Sequence, residues 1–191
     1  MDGCTNGARA ANLFALVVYI PDPLARFLDD LRTELTPDCL PRAHVTILPP
    51  RLLTASADEA VEQARSIVSG FAPFDMHLGE IEIFEGTDVI YINIDQGDRE
   101  LRQLYRELNT GALAFPEQYP FEPHITLAQD LKPGQVESLY ELAKNRWAAC
   151  PYGRRIRAER AYFVRSKADF TWVDLAEFRL LGARVGESTT T

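Results

Sequence analysis

Two of the chain's three histidines open the same tetrapeptide, His-apolar-Thr-apolar: His44-Val-Thr46-Ile47 and His124-Ile-Thr126-Leu127. In extended backbone, residues i and i+2 point to one face. Each motif therefore sets an imidazole beside a hydroxyl and turns Val45 and Ile47, or Ile125 and Leu127, toward a core. Imidazole, with an ordinary pKa of about 6.5, changes charge close to neutral pH. One ring can take a proton while the other gives one, which is what general acid–base catalysis requires. Two threonine hydroxyls can donate to oxygens held between the rings, and an anionic phosphodiester is the natural occupant of that space. Two other readings use the same residues. A zinc hydrolase needs three or four N, S or carboxylate ligands, so His77, a cysteine or a carboxylate would have to join His44 and His124, with no H-E-x-x-H spacing in support. A non-catalytic nucleotide- or RNA-binding module would keep the geometry without turnover.

The elements that must position these residues are legible in the apolar spacing. Leu13 to Ile20 is a continuous apolar run closed by Pro21 and reads as a buried strand. Pro23 to Leu35 carries Leu24, Phe27, Leu28, Leu31 and Leu35 at helical spacing. Ala43 to Leu48 is a short strand that Pro49-Pro50 should stop. Ser56 with Glu59 makes a capping box for a helix reaching Gly70. Phe74 to Phe84 is strand-like, with a change of phase at Gly79 that predicts a bulge. The order then repeats. Asp88 to Asp95 is a strand, Asp98 to Leu108 a helix, His124 to Leu127 a strand and Gln135 to Trp147 a helix. Arg155 to Val164 and Phe170 to Leu181 form a hairpin across Lys167-Ala-Asp169. A shift of 80 residues lays His44-Val-Thr46 on His124-Ile-Thr126 and Ile83-Phe84 on Phe163-Val164. An internal repeat that superposes two polar pairs predicts two imidazoles aimed into one cleft about a pseudo-two-fold axis.

Composition bounds the rest. The 191 residues are 46% apolar and 25% charged, which suits one domain with an ordinary core. A net charge of −8 argues against a general nucleic-acid coat. Three cysteines, Cys4, Cys39 and Cys150, make neither a disulfide framework nor a zinc knuckle, so a reducing, cytoplasmic setting is expected. No run approaches the ~18 apolar residues of a membrane span, and Leu13 to Ile20 is too short for a secretory signal. There is no P-loop and no G-x-G-x-x-G. From Arg146 to Lys167 seven cations face one acid, Glu159, which could attract phosphates or simply solvate a strand face. Tyr91 and Asn93 fall on the face opposite Ile90, Ile92 and Ile94 and could line the groove, with Tyr91 stacking on a base. His77 lies outside both motifs and reads as structural.

His44-Val-Thr46-Ile-Leu-Pro-Pro and Pro123-His124-Ile-Thr126-Leu resemble the paired His-x-Thr-x signatures of the 2H phosphoesterase superfamily, the group of the 2′-5′ RNA ligases and RNA 2′,3′-cyclic phosphodiesterases. The resemblance covers about residues 12 to 182. It implies an α+β fold, bilobal and duplicated about a pseudo-two-fold, with helices outside two antiparallel sheets that line a central groove. It also implies that each sheet presents one motif from a central strand. The expected organisation is a flexible arm over 1–11, one domain over 12–182 with repeat halves 12–86 and 87–182, and a flexible tail over 183–191. The resemblance implies chemistry without metal or cofactor on an RNA end or nucleotide bearing a cyclic phosphate, or on 2′-5′ phosphodiesters; a cytoplasmic monomer is expected. His124 would activate water, His44 would protonate the leaving oxygen, and Thr46 and Thr126 would hold the phosphate. This sequence departs from the family where RNA cyclic phosphodiesterases carry an Arg after the second motif. Gln129 stands there and cannot neutralise a phosphate. Arg51, just past Pro49-Pro50, is the candidate replacement cation.

Overall fold

The computed structural model describes residues 12–37, 42–132, 134–167 and 171–182. The expected arm over 1–11 and tail over 183–191, with Cys4, Cys39, Ala168 and Asp169, lie outside the described residues. In chain order the elements are β1 (Phe14–Tyr19), α1 (Leu24–Leu35), β2 (His44–Arg51), α2 (Ala57–Gly70), β3 (Phe74–Ile83), β4 (Ile90–Gln96), α3 (Asp98–Leu108), β5 (His124–Ala128), α4 (Val136–Ala148), β6 (Arg155–Ala158), β7 (Arg160–Ser166) and β8 (Trp172–Arg179). The capping box of α2 is present, with Ser56 Oγ accepting from Glu59 N at 3.2 Å and the Glu59 carboxylate accepting from Ser56 N at 3.0 Å. None of the described helices is long and apolar enough to cross a membrane.

The strands form two four-stranded antiparallel sheets, ordered β2-β1-β7-β8 and β5-β4-β3-β6. The orders correspond under the 80-residue repeat, β2 with β5, β1 with β4 and β7 with β3. Two expectations change here. Both motif strands are sheet edges, not central strands. The stretch from Arg155 to Val164 is also two strands, with β6 in one sheet and β7 in the other. The consecutive polar residues Glu159-Arg160 shift the buried positions from Ile156 and Ala158 to Ala161 and Phe163, which marks the crossing. Each sheet thus takes strands from both repeat halves, since β3 pairs with β4 and β7 pairs with β1.

Pro49-Pro50 does not stop β2, which continues to Arg51. Proline lacks the ladder N–H and is tolerated on an edge strand. The β1 register breaks there, on both sides of Leu16. The bulge at Gly79 is present as a register shift between Leu78 and Ile81. Its reason is steric. A Cβ at Gly79 would sit 1.7 Å from Asn93 Oδ1 and 2.3 Å from Asp95 Oδ1. Trp147 Nε1, from α4, donates to the Gly79 carbonyl at 2.9 Å.

One apolar core runs through both lobes between the helices and the helix-facing sides of the sheets. Val45, Ile47, Ile125 and Leu127 are all in it and essentially inaccessible. Burying such a side chain contributes roughly 1.5–3 kcal/mol. The backs of both motif strands are therefore anchored, and strand alternation turns their histidines and threonines to the opposite face.

Candidate active site

Across the groove-facing side of the first sheet, His44 is paired with Tyr19 and Thr46 with Val17. Across the second, His124 is paired with Asn93 and Thr126 with Tyr91. The two rings are held alike. His44 Nδ1 lies 2.8 Å from the Arg42 carbonyl, and His124 Nδ1 lies 2.6 Å from the Glu122 carbonyl. A carbonyl only accepts, so in each neutral ring Nδ1 carries the proton and Nε2 is the base. Each ring is also steadied by an aromatic edge. Tyr19 meets His44 at 6.4 Å and 86°, while Tyr91 meets His124 at 5.4 Å and 68°. The Thr46 and Thr126 side chains are half-buried, each two residues along from its histidine on the same face.

Both imidazoles are pushed below their ordinary pKa. Desolvation takes His44 from 6.5 to about 4, against its bond to the Arg42 carbonyl; the charge of Arg32 and a proton on His124 lower it further, and Asp29 opposes. Desolvation also lowers His124, while the Glu122 carbonyl bond and the Glu122 carboxylate resist. The two motif strands, β2 and β5, contact each other, so charge on one ring bears on the other. An anion between them would favour their charged forms.

The remaining expected residues divide. Tyr91 is at the site, but as a buttress. Phe84 stacks on its ring at 3.9 Å and 14°, and its hydroxyl donates to Glu82 at 2.9 Å. That face is covered, so the expected stacking on a base is not available there. Gln129 is exposed, one residue past β5. Arg51 is not a phosphate ligand. It is 1% exposed, and its donors go to the Pro49 carbonyl at 2.9 Å, Asn109 Oδ1 at 2.6 Å, the Leu113 carbonyl at 2.9 Å and the Glu117 carboxylate. Its cation ties β2 to the segment after α3. His77 lies 3.5 Å from Asp95, outside both motifs.

The basic stretch is largely neutralised. Arg146 pairs with Glu34, Arg154 with Glu80, Arg155 and Arg157 with Asp75, and Arg160 with Glu177. Among the described residues, no three His, Cys, Asp or Glu side chains gather as a metal-holding group. A hollow of about 400 Å³ between α2 and β8, lined by Arg65, Ser69, Phe178 and Leu181, contains neither histidine.

Four residues at the site, Tyr19, Arg42, Asp174 and Glu82, carry no motif of their own. Arg42 lies 3.4 Å over the Tyr19 ring and pairs with Asp174 at 2.9 Å, and Tyr19 also donates to Asp174 at 2.6 Å. Arg42 adopts a positive φ of 129°, a costly backbone for a side-chain-bearing residue, and its carbonyl is the one that holds His44. Glu82 accepts from Tyr91 and from Asn93 Nδ2. The register of the β3–β4 hairpin, which pairs Glu82 with Tyr91, is the signal that could have found it.

The sequence model of the 2′-5′ RNA ligase superfamily matches residues 20–169. A Staphylococcus haemolyticus protein named "Putative phosphoesterase" is 33% identical over 84 residues, 44% of this chain and 49% of that protein. An Oceanobacillus iheyensis protein of the same designation is 31% identical over 96 residues, 46% of this chain and 56% of that protein. The chain thus spans about half the length of these curated relatives. Among solved structures, TT0787 of Thermus thermophilus superposes with a TM-score of 0.65 at 21% identity, covering 89% of this chain and 98% of that one. Escherichia coli LigT complexed with 3′-AMP superposes with a TM-score of 0.61 at 18% identity, covering 90% and 99%. At these identities the likeness is one of fold.

Proposed function

Because the chain belongs to the 2′-5′ RNA ligase superfamily, we propose that it hydrolyses 2′,3′-cyclic phosphates or 2′-5′ phosphodiester bonds of RNA or nucleotides by two-histidine acid–base catalysis without a metal. The observation that carries this reading is the matched pair of Nδ1-to-carbonyl bonds, which leaves the Nε2 of each ring available for proton transfer. That LigT was solved with 3′-AMP and with phosphate supports a nucleotide phosphate as occupant of this fold. In hydrolysis of a cyclic phosphate, one imidazole takes a proton from water as its oxygen bonds to phosphorus. The bond from phosphorus to one ribose oxygen breaks, and the other ring, protonated, gives that oxygen its proton. Thr46 and Thr126 donate to the non-bridging oxygens. Ligation is the same path reversed. A monomer acting in the cytoplasm belongs to this reading, and light scattering tests the first part.

The resemblance assigns water activation to His124 and proton donation to His44. A second order is favoured by the charges. The Glu122 carboxylate favours a proton on His124, whereas Arg32 disfavours one on His44. A substrate with a p-nitrophenyl leaving group separates the two orders, because an easily departing oxygen needs no acid. The ring whose removal that substrate tolerates is the acid.

The deciding experiment is steady-state hydrolysis of 2′,3′-cyclic nucleotides, cyclic-phosphate-ended RNA and 2′-5′ oligonucleotides, with a chelator present. Turnover that survives chelation and disappears in His44→Ala and His124→Ala supports the proposal. Near-wild-type turnover in both folded variants sinks it. Loss of turnover on chelation points to a metal hydrolase, and tight binding without turnover to a nucleotide- or RNA-binding module.

A further inference from the structure

Glu82 is the feature of the groove that two-histidine chemistry leaves unexplained. It stands on β3, in register with Tyr91, which is itself in register with Thr126. The three side chains make one row across the groove-facing side of the second sheet, ending at a proposed phosphate ligand. The Glu82 carboxylate is exposed and fixed in place by two neutral donors, the Tyr91 hydroxyl and the Asn93 amide. Burial and the bond to Glu82 hold the Tyr91 phenol well above its ordinary pKa, so it remains a neutral donor. Among the described residues no cation pairs with Glu82. This is the reverse of the first sheet, where Asp174 is neutralised by Arg42.

Several cations of the basic stretch and its surroundings are committed elsewhere. Arg155 and Arg157 share Asp75, Arg160 pairs with Glu177, and Arg51 is buried against Glu117. Gln129 is neutral. A polynucleotide would have to lay further phosphates beside this fixed carboxylate, with which no cation among the described residues pairs. A small ligand carrying one reacting phosphate brings no second charge. Its hydroxyl or amino hydrogens can instead be accepted by Glu82, whose orientation is already set.

Resting on the function proposed above, we propose that the substrate is a small ribonucleoside cyclic phosphate, of mononucleotide size, and that Glu82 is a specificity-determining residue. It would accept a hydrogen bond from a ribose hydroxyl or base amine and repel the additional phosphates of a polymer. The neutral patch of Val17, Tyr162 and Val164 on the facing sheet suits the uncharged part of such a ligand.

The test compares kcat/KM for 2′,3′-cyclic AMP with kcat/KM for a short RNA ending in a 2′,3′-cyclic phosphate, using the full chain and its Glu82→Gln and Glu82→Lys variants. The wild type is expected to prefer the mononucleotide by about tenfold or more, the scale of one close like-charge contact. Its activity on the RNA should fall with salt at a log–log slope no steeper than about −1, that of roughly one phosphate. Glu82→Gln should reduce the preference, and Glu82→Lys should reverse it and steepen the slope. Glu82→Gln, which keeps an acceptor for the Tyr91 hydroxyl, should keep the wild-type melting profile, and folding of Glu82→Lys is checked by the same melt. A wild type that prefers the RNA, or a preference that neither variant moves, overturns this inference and leaves the two-histidine reading standing. Hydrolysis of neither substrate overturns both.

Discussion

Beside the His44 motif lie Val17 with Tyr162, and Tyr19 with its partner Asp174; beside the His124 motif lie Tyr91 with Glu82, and Asn93. The two walls share a strand plan, a carbonyl-tethered imidazole and an edge-on tyrosine. Their surroundings differ in kind. The first wall is apolar, with Ala15, Val17 and Val164 packed against Tyr19 and Tyr162, and its carboxylate is neutralised by Arg42. The second carries Glu82 held by neutral donors and Asp95 beside His77. Even the residues whose carbonyls tether the rings are opposite in charge, Arg42 and Glu122. Duplication has therefore placed two equivalently tethered imidazoles in unequal electrostatic settings. Under the proposed function, a nearly symmetric backbone could supply an acid and a base because the strands, not the rings, differ.

The comparison is tested most severely at the rings. If the walls contribute one proton carrier each, His44→Ala and His124→Ala should each lower turnover by roughly 10²–10⁴-fold. The double variant should be little worse than the poorer single one, since groups acting together are not additive. Unequal losses on a substrate with an activated leaving group would show which wall supplies the acid.

Arg51 tests the boundary of the site. Arg51→Ala removes one partner of a buried ion pair and should cost about 3 kcal/mol of stability in urea unfolding. Turnover per folded molecule should hold, and a selective loss of turnover would return Arg51 to the site. Thr46→Ala and Thr126→Ala should each lower kcat/KM by about 10- to 100-fold, the worth of one hydrogen bond to a charged group. A loss at one wall alone would show that the phosphate leans toward that wall.

The smallest effect is in pH. The folded-state pKa of His44 is depressed from its ordinary 6.5 to about 4, so its contribution to stability is complete above 6.5 and is lost as pH falls toward 4. Thermal midpoints should decline across that window, less steeply in His44→Ala, and added phosphate should oppose the decline. An identical slope in wild type and variant would contradict the desolvated setting of His44.

Much of this was readable from residues alone. The helices, the capping box and the Gly79 bulge each depend on spacing within one segment, and the folded chain bears them out. What was not readable depends on pairing between segments. Nothing local to His44 or His124 says that its strand is an edge. Pro49-Pro50 is the one local hint, and it reads as a terminator until the edge is known. Arg51 looks like a loop cation until Asn109 and Glu117 are seen to enclose it. The paired acids of the basic stretch lie up to 112 residues away, as Glu34 does from Arg146. Glu82 needs the hairpin register, and Arg42 needs the return of β8 beside β7 to bring Asp174 near.

The exchange of β3 and β7 between the sheets has a mechanical consequence. Each lobe is laced to the other by backbone as well as by shared core, so neither half can swing away as a hinged flap would. A chain cut in the turn between Phe84 and Val89 should yield two pieces that are each incomplete and that regain activity only when mixed.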